Sequence, residues 1–199
     1  MGKETEYKLA VQDAAQLARV LDSPEITAYR LTPYQSISMR TTYFDTADGF
    51  FAARKWMLRL RTEDRRCVAT VKTPGEGHMR GEWECEAGTL AQALPRLLSL
   101  GAPEELKTLD PAALRPVCGA AFTRRTARLR LPDGTACMVC GDVGTLTGGG
   151  RETPLCELEL ELAEGSQDAL GAFVHTLQTV YQLPEQPLSK LQRARALAE

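Results

Sequence analysis

The sequence has no long hydrophobic run. A helix that crosses a bilayer needs about 20 consecutive apolar residues, and no run among the 199 residues approaches that length. The N-terminal segment, MGKETE, also lacks the apolar core of a secretory signal peptide. We therefore expect neither a membrane span nor secretion, and we expect a cytoplasmic location.

Positive charge is not in excess either. Lysine and arginine total 24 against 26 aspartates and glutamates, so the formal net charge is −2. Proteins that bind nucleic acid through bulk electrostatics usually carry a basic face. We therefore expect no nucleic-acid partner, although small local clusters of charge are not excluded by a net value.

The cysteines do not form a zinc-binding pattern. There are six, of which only Cys137 and Cys140 have the CxxC spacing. A structural zinc site usually needs four ligands, and in a strand a spacing of three places two side chains on opposite faces. Without a secretion signal, these cysteines are typical of reduced thiols in a cytosolic protein.

Charged residues alternate with apolar residues in several segments. In the clearest one, Glu157, Glu159 and Glu161 alternate with leucines. Successive side chains of a β-strand point to opposite faces, so this pattern predicts a strand with a carboxylate face and a leucine face. Similar patterns and turn signals predict eight strands, at about 3–11, 36–45, 56–62, 66–73, 80–87, 122–131, 135–143 and 154–163.

Apolar stripes at helical spacing predict helices between and after the strands. One follows Asp13, a helical pattern covers 89–118, and two helices end the chain, after Ser166 and from about 188. A turn of helix is expected through 47–53, capped by Asp45 or Thr46. The proline-containing segment 22–35 is expected to form a loop.

Two arrangements of these elements are compatible with the pattern. Strands in hairpin succession favour an antiparallel sheet or barrel, and the helices can bury their apolar stripes only against its apolar face. A closed barrel with the helices outside would turn the charged faces inward and form a polar tunnel. An open sheet with its charged face in solvent and ion pairs across the strands explains the pattern equally well.

A charged tunnel would need ion pairs or a ligand to compensate its charges. Carboxylates repel one another unless a cation binds, and hard oxygen ligands suit Mg²⁺ or Mn²⁺ rather than zinc. Arginine and lysine suit the oxygens of a polyphosphate. The two kinds of side chain together indicate a complex of a divalent metal with a polyphosphate.

Several motifs resemble, in the same order, those of the CYTH superfamily, the triphosphate tunnel metalloenzymes. They are ExExK, YFDT, LRLR, TVK, DxG, ELELEL and SKxxR, at residues 4–8, 43–46, 58–61, 70–72, 142–144, 157–162 and 189–193. This ordered set covers nearly the whole chain. The resemblance implies an α+β fold, with an eight-stranded closed antiparallel β-barrel and helices packed outside, formed by one domain over residues 1–199.

The resemblance also implies roles for individual residues. Metal-binding acids are expected at Glu4, Glu6, Asp142, Glu157, Glu159 and Glu161. Phosphate ligands are expected at Lys8, Arg59, Arg61, Lys72, Arg124 and Lys190. Of these, Lys8, Glu4 and Glu159 are expected to be catalytic.

Other charged residues have no assigned role at this level. Glu84 is expected to face the tunnel, whereas the roles of Glu82, Glu86, Arg128 and Arg130 stay open. The loop residue His78 is expected to be solvated. The chain departs from the family pattern where many members carry an aromatic residue, here Thr126-Ala127, or acids, here Met138 and Cys140.

The activity that the resemblance implies is hydrolysis of a triphosphate with Mg²⁺ or Mn²⁺ as cofactor. Tripolyphosphate, cleaved to pyrophosphate and phosphate, is the expected substrate because no stretch reads clearly as an adenine pocket. The family also includes class IV adenylyl cyclases and thiamine triphosphatases, so ATP and thiamine triphosphate are alternatives. A non-catalytic polyphosphate-binding module is a further alternative, and a monomer or homodimer is expected.

Overall fold

Eight antiparallel strands close into a barrel in the computed structural model, which describes residues 2–76 and 79–199. The strands are β1 (Gly2–Ala10), β2 (Gln35–Asp45), β3 (Met57–Glu63), β4 (Arg66–Thr73), β5 (Met79–Glu86), β6 (Arg115–Arg130), β7 (Ala136–Gly148) and β8 (Arg151–Glu164). Around the barrel they follow the order β1-β5-β4-β3-β2-β6-β7-β8, and β8 pairs with β1. The predicted closed barrel is confirmed, while the expectation for His78 lies outside the described residues.

The described residues also form helices around and within this barrel. They are α1 (Ala14–Leu21), α2 (Pro24–Thr27), α3 (Phe50–Ala53), α4 (Leu90–Ser99), α5 (Gln167–Tyr181) and α6 (Lys190–Ala196), with two 3₁₀ turns at Glu104–Thr108 and Pro111–Ala113. The predicted caps Asp13, Thr89 and Ser166 each accept a backbone hydrogen bond at a helix start. In the described part of the chain, no helix has the length and apolar character that a membrane crossing requires.

The strand register separates a charged inner face from an apolar outer face. Glu159 lies opposite Lys8 of β1 and opposite Cys140 of β7, so these three side chains share one face. Leu158 and Leu160 point to the other face, where they are fully buried with residues of α1 and α5. Because these helices cover the leucine face, the carboxylates of β8 are left facing the barrel interior.

A second apolar cluster covers the opposite wall of the barrel. Leu94 and Leu97 of α4 are buried together with Leu58 of β3 and Val71 of β4. The amphipathic pattern of α4 therefore serves the same purpose as that of α1 and α5, since each helix buries its apolar stripe on an outward-facing strand surface.

The short helix α6 lies on the inner side instead. Its Ala194 is fully buried in a cluster with Phe122, Leu146 and Leu155. These three residues are two or four positions from charged inner-face residues of β6, β7 and β8, so they belong to the inner face. A Cβ on Gly148 would overlap the carbonyl oxygen of Ala194, so the approach of α6 to β7 requires glycine there. The helix α6 thus fills one end of the barrel interior.

Three local predictions were wrong. The expected loop 22–35 contains α2, because Ser23 caps it, Pro24 occupies its first turn and Ile26 is fully buried. The helical pattern of 89–118 ends early, because residues from Arg115 onward pair with β2. The helix near 47–53 is shortened to α3, which begins only at Phe50. The side chains of Asp45 and Thr46 nevertheless accept hydrogen bonds from backbone N–H groups of its first turn, as the predicted capping implies.

We expect Leu160→Ala to lower the free energy of unfolding by about 3 kcal/mol, because it leaves a cavity under α5 in a fully buried position. Leu162→Ala is the matched control on the same strand and face, since Leu162 is only partly buried. Urea titrations of the two variants test this difference. Equal losses of stability would contradict the deeper burial of Leu160 under the helices.

Candidate active site

The barrel interior contains a cavity of ≈ 750 Å³. Pockets of about 300–1,000 Å³ accommodate small-molecule ligands. Ten of the twelve predicted site residues line it, namely Glu4, Glu6, Lys8, Arg59, Arg61, Lys72, Arg124, Glu159, Glu161 and Lys190. The other two, Asp142 and Glu157, are 0% exposed and do not line the cavity.

Three acids on β7 and β8 form a compact cluster at one side of this cavity. Ligand oxygens of Asp142, Glu157 and Glu159 all lie within 4.8 Å of one another. Arg124 binds Asp142 through two N–H···O bonds of 2.8 and 2.7 Å, and its guanidinium also contacts Glu159. The planar fork of arginine suits this bidentate arrangement.

Helix α6 supplies the other cations of the cluster. The ammonium of Lys190 lies 2.8 Å from oxygens of both Asp142 and Glu159 and also contacts Glu157. Arg193 contacts the second oxygen of Glu157. Three cations therefore face three carboxylates, so the cluster is balanced in charge without a metal ion.

The pKa shifts of two members of the cluster agree with this balance. Burial acts to raise the pKa of Glu159, but Lys190 and Arg124 outweigh it and hold the pKa well below its usual range. Burial likewise acts to lower the pKa of Lys190, yet its carboxylate neighbours raise it above the ordinary value. Glu159 and Lys190 are thus both charged in the folded protein. Burial raises the pKa of another acid of the cluster, Glu157, to about 7, while its contacts with Lys190 and Arg193 act in the opposite direction and favour the ionised form.

A second acidic group has fewer cations within ion-pair distance than it has carboxylates. The ammonium of Lys72 lies 3.2 Å from Glu82 and 4.0 Å from Glu6, and it also contacts Glu4. Glu161 lies opposite Glu6 in the pairing of β8 with β1. Among the described residues, the other ion pairs of this group are two contacts of 3.9 Å, between Lys8 and Glu6 and between Arg59 and Glu82, and Glu161 has none.

The carboxylates of this second group repel one another. Burial raises the pKa of Glu161 to about 7, and the charges of neighbouring acids, Glu4 foremost, add to the effect. Burial also raises the pKa of Glu6, and Glu159 contributes to that shift. A divalent cation would relieve this repulsion, and carboxylate oxygens are the donors that Mg²⁺ and Mn²⁺ prefer. The donor set therefore fits the predicted metal.

This charge distribution predicts how the stability of the metal-free protein depends on pH. The pKa of Glu161 rises from 4.5 to about 7 on folding, so ionising this side chain costs stability as the pH rises through that window. Wild type and Glu161→Gln should be equally stable near pH 4.5, and the variant should become the more stable one above pH 7. Thermal unfolding of the chelator-treated proteins across this range measures the difference, and a constant difference would contradict the expectation.

The opposite wall of the cavity carries the two predicted arginines of β3. Arg59 donates to the hydroxyl of Thr70 at 3.2 Å and lies 3.4 Å from Glu84. Arg61 donates to Glu63 at 2.8 Å. Glu84 does face the cavity, as predicted, and there it is a counter-ion of Arg59.

The remaining acids and arginines with open roles are now placed. Glu82 lines the cavity beside Lys72, whereas Glu86 is exposed and paired with Arg66 outside it. Arg128 and Arg130 are exposed at the end of β6 and do not line the cavity.

The departures from the family pattern on β7, Met138 and Cys140, place uncharged side chains on the inner strand face, although neither residue lines the cavity. Cys140 is buried, and its sulfur lies 3.2 Å from the hydroxyl of Thr126. Burial raises the pKa of this thiol to about 11, so it is protonated at neutral pH. The expectation that Cys137 and Cys140 point to opposite faces is consistent with their surroundings, since Cys137 packs in the outer apolar core with Val139.

Sequence reasoning missed several cavity residues, and Arg80 and Tyr43 are two of them. Arg80 of β5 lines the cavity close to Lys8, and its side chain makes no ion pair or hydrogen bond with another described residue. Arg80 is two and four residues from Glu82 and Glu84, and this spacing in a strand indicates that all three side chains share one face. Tyr43 of β2 also lines the cavity, where burial raises the pKa of its phenol although Arg59 acts in the opposite direction. It was noted only as part of a motif.

The sequence matches the CYTH domain family over residues 2–194. The chain belongs to the CYTH domain family. This CYTH chain is 29% identical over 182 residues to an inorganic triphosphatase of Haemophilus influenzae (strain ATCC 51907 / DSM 11121 / KW20 / Rd). The match covers 89% of the chain and 50% of the relative, so the chain spans about half the length of that protein.

Solved structures share the CYTH fold. A putative adenylyl cyclase from Hippeastrum, described as having a dominant triphosphatase activity, is 19% identical with a TM-score of 0.61, and the match covers 98% of this chain and 96% of that one. A putative adenylate cyclase from Bacillus halodurans gives the same identity and TM-score over 97% of this chain and 98% of that one. At such identities these likenesses concern the fold alone.

Proposed function

We propose that this CYTH protein hydrolyses a triphosphate inside the barrel with Mg²⁺ or Mn²⁺ as cofactor, and that tripolyphosphate is its substrate. The observation that carries the proposal is the composition of the cavity. Carboxylates that repel one another around Glu161 line this cavity, and so do arginine and lysine side chains. A metal–polyphosphate complex complements both sets, and the inorganic triphosphatase relative supports the choice of substrate.

The metal would be held by Glu4, Glu6 and Glu161, with Glu159 at the boundary to the charge-balanced cluster. When bound, a divalent cation supplies charge neutralisation at phosphate oxygens and a water molecule of lowered pKa. Asp142 and Glu157, which were also predicted as metal ligands, have cations in contact with them and lie outside the cavity wall.

The cationic side chains would orient the polyphosphate and stabilise the charge of the transition state. Arg59, Arg61 and Lys72 project from adjacent strands, so they can bind successive phosphoryl groups in a fixed geometry. Lys8 lies with its ammonium 3.9 Å from Glu6, and burial lowers the pKa of that ammonium, an effect to which the nearby charge of Arg80 contributes. Its Nζ can donate a hydrogen bond to a phosphate oxygen or to the attacking water.

A substrate panel tests the proposal directly. The chelator-treated protein is incubated with tripolyphosphate, ATP or thiamine triphosphate, each with Mg²⁺ or Mn²⁺, and phosphate and cyclic AMP are measured. We expect phosphate release from tripolyphosphate only when the metal is added. Cyclic AMP from ATP would instead assign a cyclase, and preferred turnover of thiamine triphosphate would assign that substrate. Tight tripolyphosphate binding without turnover of any compound would leave a binding module.

Arg80 offers a second prediction for the same assay. Because this arginine has no ion-pair partner among the described residues, its charge is available to the substrate at little structural cost. We expect Arg80→Met to raise the KM for tripolyphosphate roughly 10-fold, as loss of one charge-assisted contact of about 1.5–3 kcal/mol allows. The thermal midpoint should stay within about 2 °C of wild type, and an unchanged KM would remove Arg80 from the binding surface.

A further inference from the structure

We propose that Glu157 and Arg193 are positioning residues that fix Lys190 at the cavity wall, and that Glu157 is not a metal ligand. This inference deepens the proposed function, because the residue positioned is one of the expected phosphate ligands. It separates the carboxylates of β8 by role: Glu161 faces the substrate, whereas Glu157 supports the helix that carries Lys190.

The first argument concerns how α6 is held. The helix has 7 residues, and isolated helices this short are not stable in water. Apolar contacts of Ala194 fix its distance from β7. Two acid–arginine pairs then fix its rotation: Arg195 lies 3.0 Å from the buried Asp45, and Arg193 contacts the buried Glu157.

The second argument concerns the two oxygens of Glu157. One accepts from Lys190 and the other from Arg193, which are three positions apart and therefore on the same face of α6. The carboxylate is 0% exposed and absent from the cavity lining. Both of its ligand atoms are thus engaged by one helix, and neither is directed at the space where substrate would bind.

The third argument concerns what Lys190 needs. A lysine side chain has four flexible bonds and three N–H donors. Here its ammonium contacts Asp142 and Glu157 behind the wall, and only Glu159, its third partner, lines the cavity. The buried carboxylates of Asp142 and Glu157 therefore hold the ammonium of Lys190 at the cavity wall. Without Arg193, Glu157 would keep Lys190 as its only cation and α6 would lose one of its two rotational anchors.

The test compares Arg193→Met with Arg193→Lys and with Leu197→Ala. Leu197 packs against the apolar cluster of α6, so its truncation weakens the helix without changing charge. We expect Arg193→Met to raise the KM for tripolyphosphate about 10-fold and to change kcat less than about 3-fold, because a displaced Lys190 weakens ground-state and transition-state binding alike. Arg193→Lys should restore most of the affinity. Leu197→Ala should lower the thermal midpoint and leave KM unchanged.

Metal binding separates the two roles of the β8 acids. Manganese affinity, measured by calorimetry or electron paramagnetic resonance without substrate, should change less than about 2-fold in Glu157→Gln and fall at least 10-fold in Glu161→Gln. An equal loss in both variants would overturn the assignment of Glu157. An unchanged KM in Arg193→Met, with only a lower thermal midpoint, would reduce Arg193 to a structural role and also overturn the proposal.

A crystal structure of Arg193→Met gives a readout that does not depend on turnover. We expect the ammonium of Lys190 to have moved away from Asp142 in that variant, compared with wild type in the same crystal form. If wild type binds no tripolyphosphate, the proposed function fails while this displacement still tests the positioning. If the Arg193→Met protein does not fold, the double variant Glu157→Gln with Arg193→Gln removes both charges together, and the same displacement is expected. An unmoved Lys190 in either variant would refute the proposal.

Discussion

Glu161→Gln should reduce kcat for tripolyphosphate by at least about 100-fold. In the proposed site this carboxylate holds the divalent cation, and loss of one electrostatic group that acts on the transition state costs about 10²–10³ in rate. The substitution is nearly isosteric, and it removes a charge that the neighbouring acids repel. The variant should therefore be at least as stable as wild type at neutral pH, although it is nearly inactive.

The combination of lost activity and retained stability distinguishes a functional acid from a structural one. Glu86→Gln is the matched control, because this substitution makes the same change of charge at an exposed position. Among the described residues, the ion-pair partner of Glu86 is Arg66. Its kcat should stay within about 2-fold of wild type. Steady-state phosphate release and thermal unfolding of both variants give the comparison. Normal turnover by Glu161→Gln would exclude Glu161 as an essential metal ligand.

Lys190→Met should lower the free energy of unfolding by about 3 kcal/mol, which is the order of cost for leaving buried carboxylates without one of their cations. Lys190 is the cation shared by all three acids of the balanced cluster. Activity should also fall, since the same substitution removes a positive charge from the cavity wall. Urea titration and the tripolyphosphate assay measure the two effects separately.

A double variant shows whether the cost comes from uncompensated charge. In Lys190→Met with Glu157→Gln, one carboxylate is neutralised together with its cation, so the loss of stability should be smaller than the sum of the two single losses. Stability should thus be partly restored, while activity should not return. Strictly additive losses would show that Lys190 and Glu157 do not interact energetically, in conflict with their contact.

The sequence was most informative about the strands and about which of their residues face inward. The period of two in 157–162, and in the segments around Arg59 and Arg61, depends only on the alternation of side chains along a strand. The structure confirms the closed barrel, and the inward faces follow from that alternation. The alternation of charged and apolar residues did not distinguish a closed barrel from an open sheet. The ordered motifs of the CYTH family did, because that family has a closed barrel.

Local patterns failed where distant segments decide the structure. Residues 115–118 continue a helical pattern in the sequence, but Cys118 pairs with Tyr43 of β2, and a whole strand follows this register. Arg80 could not be identified from its neighbours in the sequence, because they do not show that nearby acids such as Glu4 and Glu82 pair with another cation, Lys72. The single-domain prediction over residues 1–199 and the roles of the individual site residues stay predictions.

The amino-acid sequence by itself determined that this chain has charged strand faces, apolar faces for its helices, and the motifs of a CYTH domain. Tertiary structure alone decided which charges compensate one another. Glu157 and Glu161 are four residues apart on one strand face, yet Glu157 contacts two cations of α6 while Glu161 faces other carboxylates. The physical reason is that ionic interactions depend on distance and burial. In this barrel those distances are set by strand register and by the insertion of α6.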